Sequence, residues 1–180
     1  MFSSNHEVLM LLLSLSALAQ EHHPVVVDRP DGVAGFGAGL IGAGDINGDG
    51  CDDVVVSATD ADGAWVYYGN PGGVDAAAWQ RVDDDQEWSR FGHALSAAGD
   101  VNGDGYADFI VGAPYYPYAE EGRAFVYYGG EAELTERTEL SGADGSVHYQ
   151  FGWTVAGPGD VNGDGYDDVL VGAYTGHMLA

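Results

Sequence analysis

A nine-residue pattern, Asp-x-Asn-Gly-Asp-Gly-x-x-Asp, stands at three places in this chain and limits its fold more than any other feature. The copies run from Asp45 to Asp53, Asp100 to Asp108 and Asp160 to Asp168. Ahead of each, nine residues before its first Asp, lies a Phe-Gly pair: Phe36-Gly37, Phe91-Gly92 and Phe151-Gly152. The units are 55 and 60 residues apart. Self-similarity at a nearly fixed period marks a repeat architecture, in which each unit is one supersecondary element and neighbours bury one another.

The chemistry of the pattern points to a hard cation. Calcium takes six to eight oxygen ligands from carboxylates, amide oxygens and backbone carbonyls. Position 1 (Asp45, Asp100, Asp160), position 3 (Asn47, Asn102, Asn162) and position 5 (Asp49, Asp104, Asp164) offer side-chain oxygens. Position 7 (Cys51, Tyr106, Tyr166) offers only its carbonyl, and position 9 (Asp53, Asp108, Asp168) closes the shell with a carboxylate. Glycine at position 6 lets the chain double back. Magnesium demands a tighter octahedron and suits this spacing less well. The helix-loop-helix calcium site shares positions 1, 3, 5 and 6 but needs an acidic residue at position 12. Here position 12 is Val56, Val111 or Val171, so the chain enters an apolar run instead.

Those runs, Val54–Ser57, Phe109–Gly112 and Val169–Gly172, lack polar alternation, as expected of strands covered on both faces. Trp65–Gly69 matches Phe125–Gly129 and supplies a third strand to each unit. Apolar pieces at Val25–Val27, Trp79–Val82 and near Leu140 supply a fourth. The expected unit is four antiparallel strands, with no 3.6-residue periodicity long enough for a helix. The five extra residues of the second interval fall in the loop Pro114–Glu121, between second and third strands.

Phe-Gly, then Gly-Asp-x-Asn-Gly-Asp-Gly, then Val-Gly-Ala-Pro resembles the FG-GAP repeat of integrin α-subunit propellers. The second copy fits best, ending in Gly112-Ala113-Pro114; the first closes on Ser57-Ala58-Thr59 and the third on Gly172-Ala173-Tyr174. The resemblance covers about Pro24 to the end. It implies an all-β partial β-propeller of antiparallel four-stranded blades, two complete plus an incomplete third, with repeats at about 25–78, 79–138 and 139–180. It implies one Ca²⁺ in the hairpin between the first two strands of each blade, and action through protein or glycan contacts on the loops. A ring of this family has seven blades, so this ring does not close. Val25–Val27 reads as an outer strand of the kind that completes a ring's last blade. A truncated gene, a fragment, or an open stack completed by other chains would each give this pattern, and the open ends favour self-association or pairing with further blades.

Charge narrows the partners. Five Lys plus Arg against 29 Asp plus Glu leave a net charge of −24, which disfavours nucleic acid and anionic lipid. Three bound Ca²⁺ would bring it to −18. The single cysteine, Cys51, forms no internal disulfide. Residues 1–19 hold an apolar run from Val8 to Leu18 and an Ala17-Leu18-Ala19 ending, the features of a signal peptide, though with no Lys or Arg ahead of the run. Export to the cell surface or medium is therefore expected, with no membrane insertion after its removal. No Gly-x-Ser-x-Gly or His-Glu-x-x-His occurs, and His93, His148 and His177 share no motif with a nucleophile, so no enzyme is expected; the adjacent His22-His23 offers a metal-binding pair or, more simply, two exposed side chains in a polar segment. The alternatives are an accessory propeller of a larger secreted hydrolase-like enzyme, or a nonfunctional gene fragment. Asp83-Asp84-Asp85 and Glu120-Glu121 read as solvated turn charges, and Tyr115–Tyr118 as either a contact surface or the bracing of a long loop.

Overall fold

The computed structural model describes residues 11–12, 25–27, 30, 32–116, 121–131, 134–142 and 150–174. Most of residues 1–19, where a signal peptide is expected, together with His22, His23, His148, His177 and the loop tip 117–120, lie outside them. The described residues are almost wholly β, with a single 3₁₀ turn at Thr59–Ala61 and no α-helix. No helix among them is long and apolar enough to cross a membrane.

The first full sheet has four antiparallel strands in chain order: β3 (Phe36–Gly44), β4 (Asp53–Ala58), β5 (Gly63–Asn70) and β6 (Gly73–Val82). The second repeats it with β7 (Ala94–Gly99), β8 (Asp108–Ala113), β9 (Arg123–Tyr127) and β10 (Arg137–Leu140). The third has two strands, β11 (Phe151–Gly159) and β12 (Asp168–Ala173). A short pair, β1 (Leu11–Leu12) and β2 (Val25–Val26), precedes them. These are antiparallel four-stranded blades and part of a further one, arranged without closing a ring. The outer strands join the sheet that precedes them in the chain, so Trp79–Val82 ends the first sheet and Leu140 the second.

The blades stack face to face because each second strand is apolar on both sides. In β4, Val55 points toward the second sheet with Val66 of β5, while Val54 and Val56 point away with Trp65 and Tyr67. Ile41, Val55, Ala64, Val66 and Val82 of the first sheet pack on Phe91, Phe109, Val111, Phe125 and Tyr127 of the second. Phe109 stacks on Tyr127 at 5.2 Å. Ile110, Ala124 and Val126 then pack on Phe151, Val155, Val169 and Val171 of the third. The first strands β3, β7 and β11 lie side by side, lining one edge of the stack.

The Phe-Gly signature now has a physical account. Gly92 and Gly152 hold φ of +87°, a left-handed conformation that side chains resist. A Cβ on Gly92 would lie 2.6 Å from Ser57 Cβ of the first sheet, and one on Gly152 would land on the Arg123 carbonyl of the second. The phenylalanine enters the core between blades, and the glycine lets the chain turn against the preceding blade.

One segment departs from its sequence reading. Asp83 and Asp85 face solvent in part, but Asp84 is buried, only 3% exposed. Its Oδ1 accepts the Gln86 N–H at 3.1 Å, while Oδ2 has no partner among the described residues. The run sits where β6 passes into the second blade, so its middle residue is folded inward. Burial pushes the Asp84 carboxyl up to about 6, against the opposing pull of the Ser89 hydroxyl and Gln86 N–H, with Asp62 nearby adding to the rise. The folded state therefore holds the proton more tightly than the unfolded chain. This group's contribution falls as pH rises from about 4 to about 6, and it is least favourable at neutral pH. Asp84→Asn is expected to gain about 1–2 kcal/mol at pH 7.5 and to lose that advantage at pH 4.5. Urea denaturation of both proteins at the two pH values checks it; an equal difference at both would refute the assignment.

Candidate metal centre

Each acidic loop joins the first and second strands of its sheet, and its backbone is shaped by its own side chains. In the first, Asp45 Oδ1 accepts the Gly48 and Asp49 N–H groups at 2.7 and 3.1 Å, and Oδ2 accepts that of Gly50 at 2.8 Å. Asn47 Oδ1 accepts from Asp49 N–H at 3.0 Å, and Asp49 Oδ1 from Cys51 N–H at 2.9 Å. Asn47 Nδ2 donates to Asp49 Oδ2 at 3.1 Å. The Asp100, Asn102 and Asp104 side chains repeat these bonds in the second loop. Asp160, Asn162 and Asp164 repeat the backbone bonds in the third. Positions 4 and 6 are glycines with φ between +76° and +93°, which the tight reversal requires.

Position 9 sits deeper. Asp53 is buried; its Oδ2 accepts Ile46 N–H at 2.8 Å and its Oδ1 accepts Gly69 N–H at 2.7 Å. It thus ties the loop to the far end of the third strand. Asp108 does the same with Val101 and Gly129. Among the described residues Asp168 makes only the loop bond, to Val161 at 2.8 Å. Burial pushes the Asp53 and Asp108 carboxyls up, partly offset by these N–H donors. Asp160, by contrast, is held low by the N–H groups of its loop, that of Gly165 foremost.

The structure gathers positions 1, 3 and 5 at each hairpin tip and sets position 9 beneath them. Among the described residues, no group of three or more His, Cys, Asp or Glu side chains stands in a metal-holding arrangement. The reason is visible in the bonds: carboxylates at positions 1 and 9 turn to backbone N–H groups, and position 3 is an amide. In donor chemistry the set fits a hard cation, since every side chain named offers oxygen and the Asn47 and Asp49 side chains already touch.

Position 7 does more than offer a carbonyl. The ring of Tyr106 lies over the preceding loop, where a Cβ on Gly48 would be 2.5 Å from Tyr106 Cε1. Tyr166 covers Gly103 in the same way, at 2.6 Å. Position 8 links the loops in series: Ala107 N–H donates to Asp45 O at 3.0 Å, and Asp167 N–H to Asp100 O at 3.1 Å. The Asp167 carboxylate also accepts Asp100 N–H at 2.8 Å. The recurrence of tyrosine at position 7 was the sequence signal for this stacking. Cys51 fills that position in the first loop; burial and its acidic neighbours Asp49, Asp45 and Asp53 push its thiol up, away from a reactive thiolate.

At the opposite end of the sheets, arginines lie on aromatic rings: Arg90 over Tyr115 at 5.5 Å and Arg123 over Tyr116 at 5.5 Å. Tyr115 N–H donates to Ser89 O at 3.1 Å. These contacts brace the described part of the long loop.

Stacked antiparallel blades joined through acidic hairpins define a propeller-type repeat module. The chain carries FG-GAP repeats: the family profile of the FG-GAP repeat matches residues 91–127 and 151–177. The first unit, from Phe36, lies outside the matched residues yet has the same strands and loop. The chain is similar to integrin alpha pat-2 of Caenorhabditis briggsae, 34% identical over 76% of this chain and 13% of that protein. It is 32% identical to integrin alpha-PS2 of Drosophila melanogaster over 75% of this chain and 11% of the relative. Integrin alpha-6 of Homo sapiens matches over 94% of this chain at 29% identity, and over 15% of its own length. The chain therefore spans a small part of the relatives that it matches.

Proposed function

We propose that this chain is an adhesion-type propeller module, secreted or displayed at a cell surface, whose three acidic loops each hold a Ca²⁺ ion. The carrying observation is that in all three loops the side chains at positions 1, 3 and 5 accept the same backbone N–H groups, which holds their oxygens at one hairpin tip. The similarity to integrin alpha subunits supports the module's class. Asp45, Asn47, Asp49, the Cys51 carbonyl and Asp53 would hold the first ion, with their counterparts holding the second and third. The ion's contribution is electrostatic: it neutralises the clustered carboxylates of a chain of net charge −24 and cross-links each hairpin. Because position 8 bonds one loop to the next, stiffening one hairpin tip also stiffens its neighbour. Protein or glycan ligands would meet the loops that this stiffened stack presents.

Calcium that binds only the folded state raises stability by mass action, about 2.7 kcal/mol for one site at a hundredfold excess over its Kd. The melting temperature in millimolar calcium is therefore expected to exceed that in excess chelator by several degrees, and Asp104→Ala to reduce the number of ions bound by one. Differential scanning calorimetry and calcium titration measure both. Identical melting temperatures with calcium and chelator would sink the metal assignment.

A further inference from the structure

The first and second acidic loops are each held by residues of the unit that follows. The Tyr106 ring lies across Gly48, where a Cβ would be 2.5 Å from Tyr106 Cε1, and Tyr166 lies across Gly103 at 2.6 Å. Each of these glycines is position 4 of its loop, has a φ of +76°, and stands between the oxygen donors at positions 3 and 5. Glycine is the residue with most backbone freedom to lose on ordering. The ring therefore lands on the link that sets the spacing of Asn47 and Asp49, or of Asn102 and Asp104.

The residue after each tyrosine pins position 1 of the same preceding loop. Ala107 N–H donates to Asp45 O at 3.0 Å, and Asp167 N–H to Asp100 O at 3.1 Å. At the second junction the Asp167 carboxylate also accepts Asp100 N–H. At the first junction the contact reaches position 9 as well, through the hairpin after β9. Ile46 N–H donates to Asp53 Oδ2, Gly130 N–H to Ile46 O and Gly129 N–H to Asp108 Oδ1, each at 2.8 Å. The position-9 carboxylates of two loops are thus connected through three backbone residues. Packing alone does not call for these contacts, because the sheets already meet through core residues such as Val55, Val66, Phe109 and Val111. The tyrosine contacts fall instead on hairpin tips, where Asp49, Asn102 and Asp104 are exposed.

We infer that Tyr106 and Tyr166 are positioning residues for the loop before their own, so that the oxygen clusters of the first and second loops are each completed by the following unit. This rests on the calcium reading above. Tyr106 then serves two loops with separate atoms: its carbonyl belongs to the donor set of the second loop, and its ring orders the first. Holding Asp45 and Gly48 in place before an ion arrives removes part of the ordering cost of binding. The ring also shields one side of the turn from water, as the outer contacts of metal ligands generally do.

Calcium titration of the full chain, one loop at a time, tests this. With Asp104→Ala and Asp164→Ala present, only the first loop keeps its donors, and Tyr106→Ala is expected to weaken its calcium affinity by about 10-fold. Tyr106→Phe keeps the ring and is expected to stay within about twofold of the parent. With Asp49→Ala and Asp164→Ala present, Tyr166→Ala is expected to weaken the second loop by a similar factor. Tyr166 is 51% exposed, so its removal spares the fold even where that of Tyr106 does not, and circular dichroism in chelator checks both. A purely structural role would lower the melting temperature in chelator and leave the affinities unchanged. Unchanged affinity in both alanine variants, or an equal loss in Tyr106→Phe and Tyr106→Ala, would overturn the inference and leave the metal assignment standing. Failure of the unsubstituted chain to bind calcium would remove the metal assignment itself, and the inference with it.

Discussion

Asp53→Ala, measured in excess chelator so that no ion contributes, is expected to destabilise the chain by about 3–5 kcal/mol. The carboxylate is buried and accepts two N–H groups, of Ile46 in the loop and of Gly69 at the end of the third strand. Alanine removes both acceptors and leaves two buried donors unpaired, each worth about 1–3 kcal/mol. Asp53→Asn keeps the shape but turns an amide NH₂ toward one of those donors, so about half the loss is expected. Asp168 is the internal control. Among the described residues it makes one exposed bond, to Val161, and Asp168→Ala is expected to lose about 1 kcal/mol. Urea denaturation followed by tryptophan fluorescence reports all three, since Trp65 is buried one strand away. Equal losses for Asp53→Ala and Asp168→Ala would show that the strap to the third strand contributes nothing.

The second large effect belongs to the Phe-Gly signature. Gly152→Ala is expected to destabilise by about 3 kcal/mol or more, because two penalties fall on one residue. Its φ of +87° is unfavourable for alanine. The added methyl also strikes the Arg123 carbonyl, backbone that a side-chain rotation cannot move. Gly165→Ala shares the positive φ of +93° but meets nothing within 4 Å, so it isolates the conformational part, about 1 kcal/mol. A loss at Gly152 no greater than that at Gly165 would remove the packing explanation for the signature.

Much of this was legible from residue types and offsets. Three identical loops at a constant distance from Phe-Gly required a repeat, and valine at position 12 ruled out an exiting helix. Runs such as Val54–Ser57 announced strands buried on both sides, and the structure extends this one by a residue at each end, to Asp53–Ala58. The order of four strands in each complete unit also followed from the internal matches. All of these are local properties, in which a side chain's chemistry acts on its own segment or recurs at a fixed step.

The parts that were not legible depend on neighbours distant in the chain. Asp84 sits in a run of three aspartates that reads as solvent-facing, yet the junction of two blades closes over its middle member. Tyr106 and Tyr166 read as carbonyl donors, yet their rings seal the glycine of the loop 55 or 60 residues earlier. Position 8, Ala107 or Asp167, follows no side-chain rule, because its shared contact is made by backbone.

For the nine-residue loop itself, the sequence alone determined its glycine turns and its place between two strands, since spacing and residue chemistry are written along the chain. Only the tertiary structure decided that Asp53 also straps the third strand, and that each loop leans on the one before it. Those outcomes depend on which faces meet when sheets stack, and that is set by packing across blades.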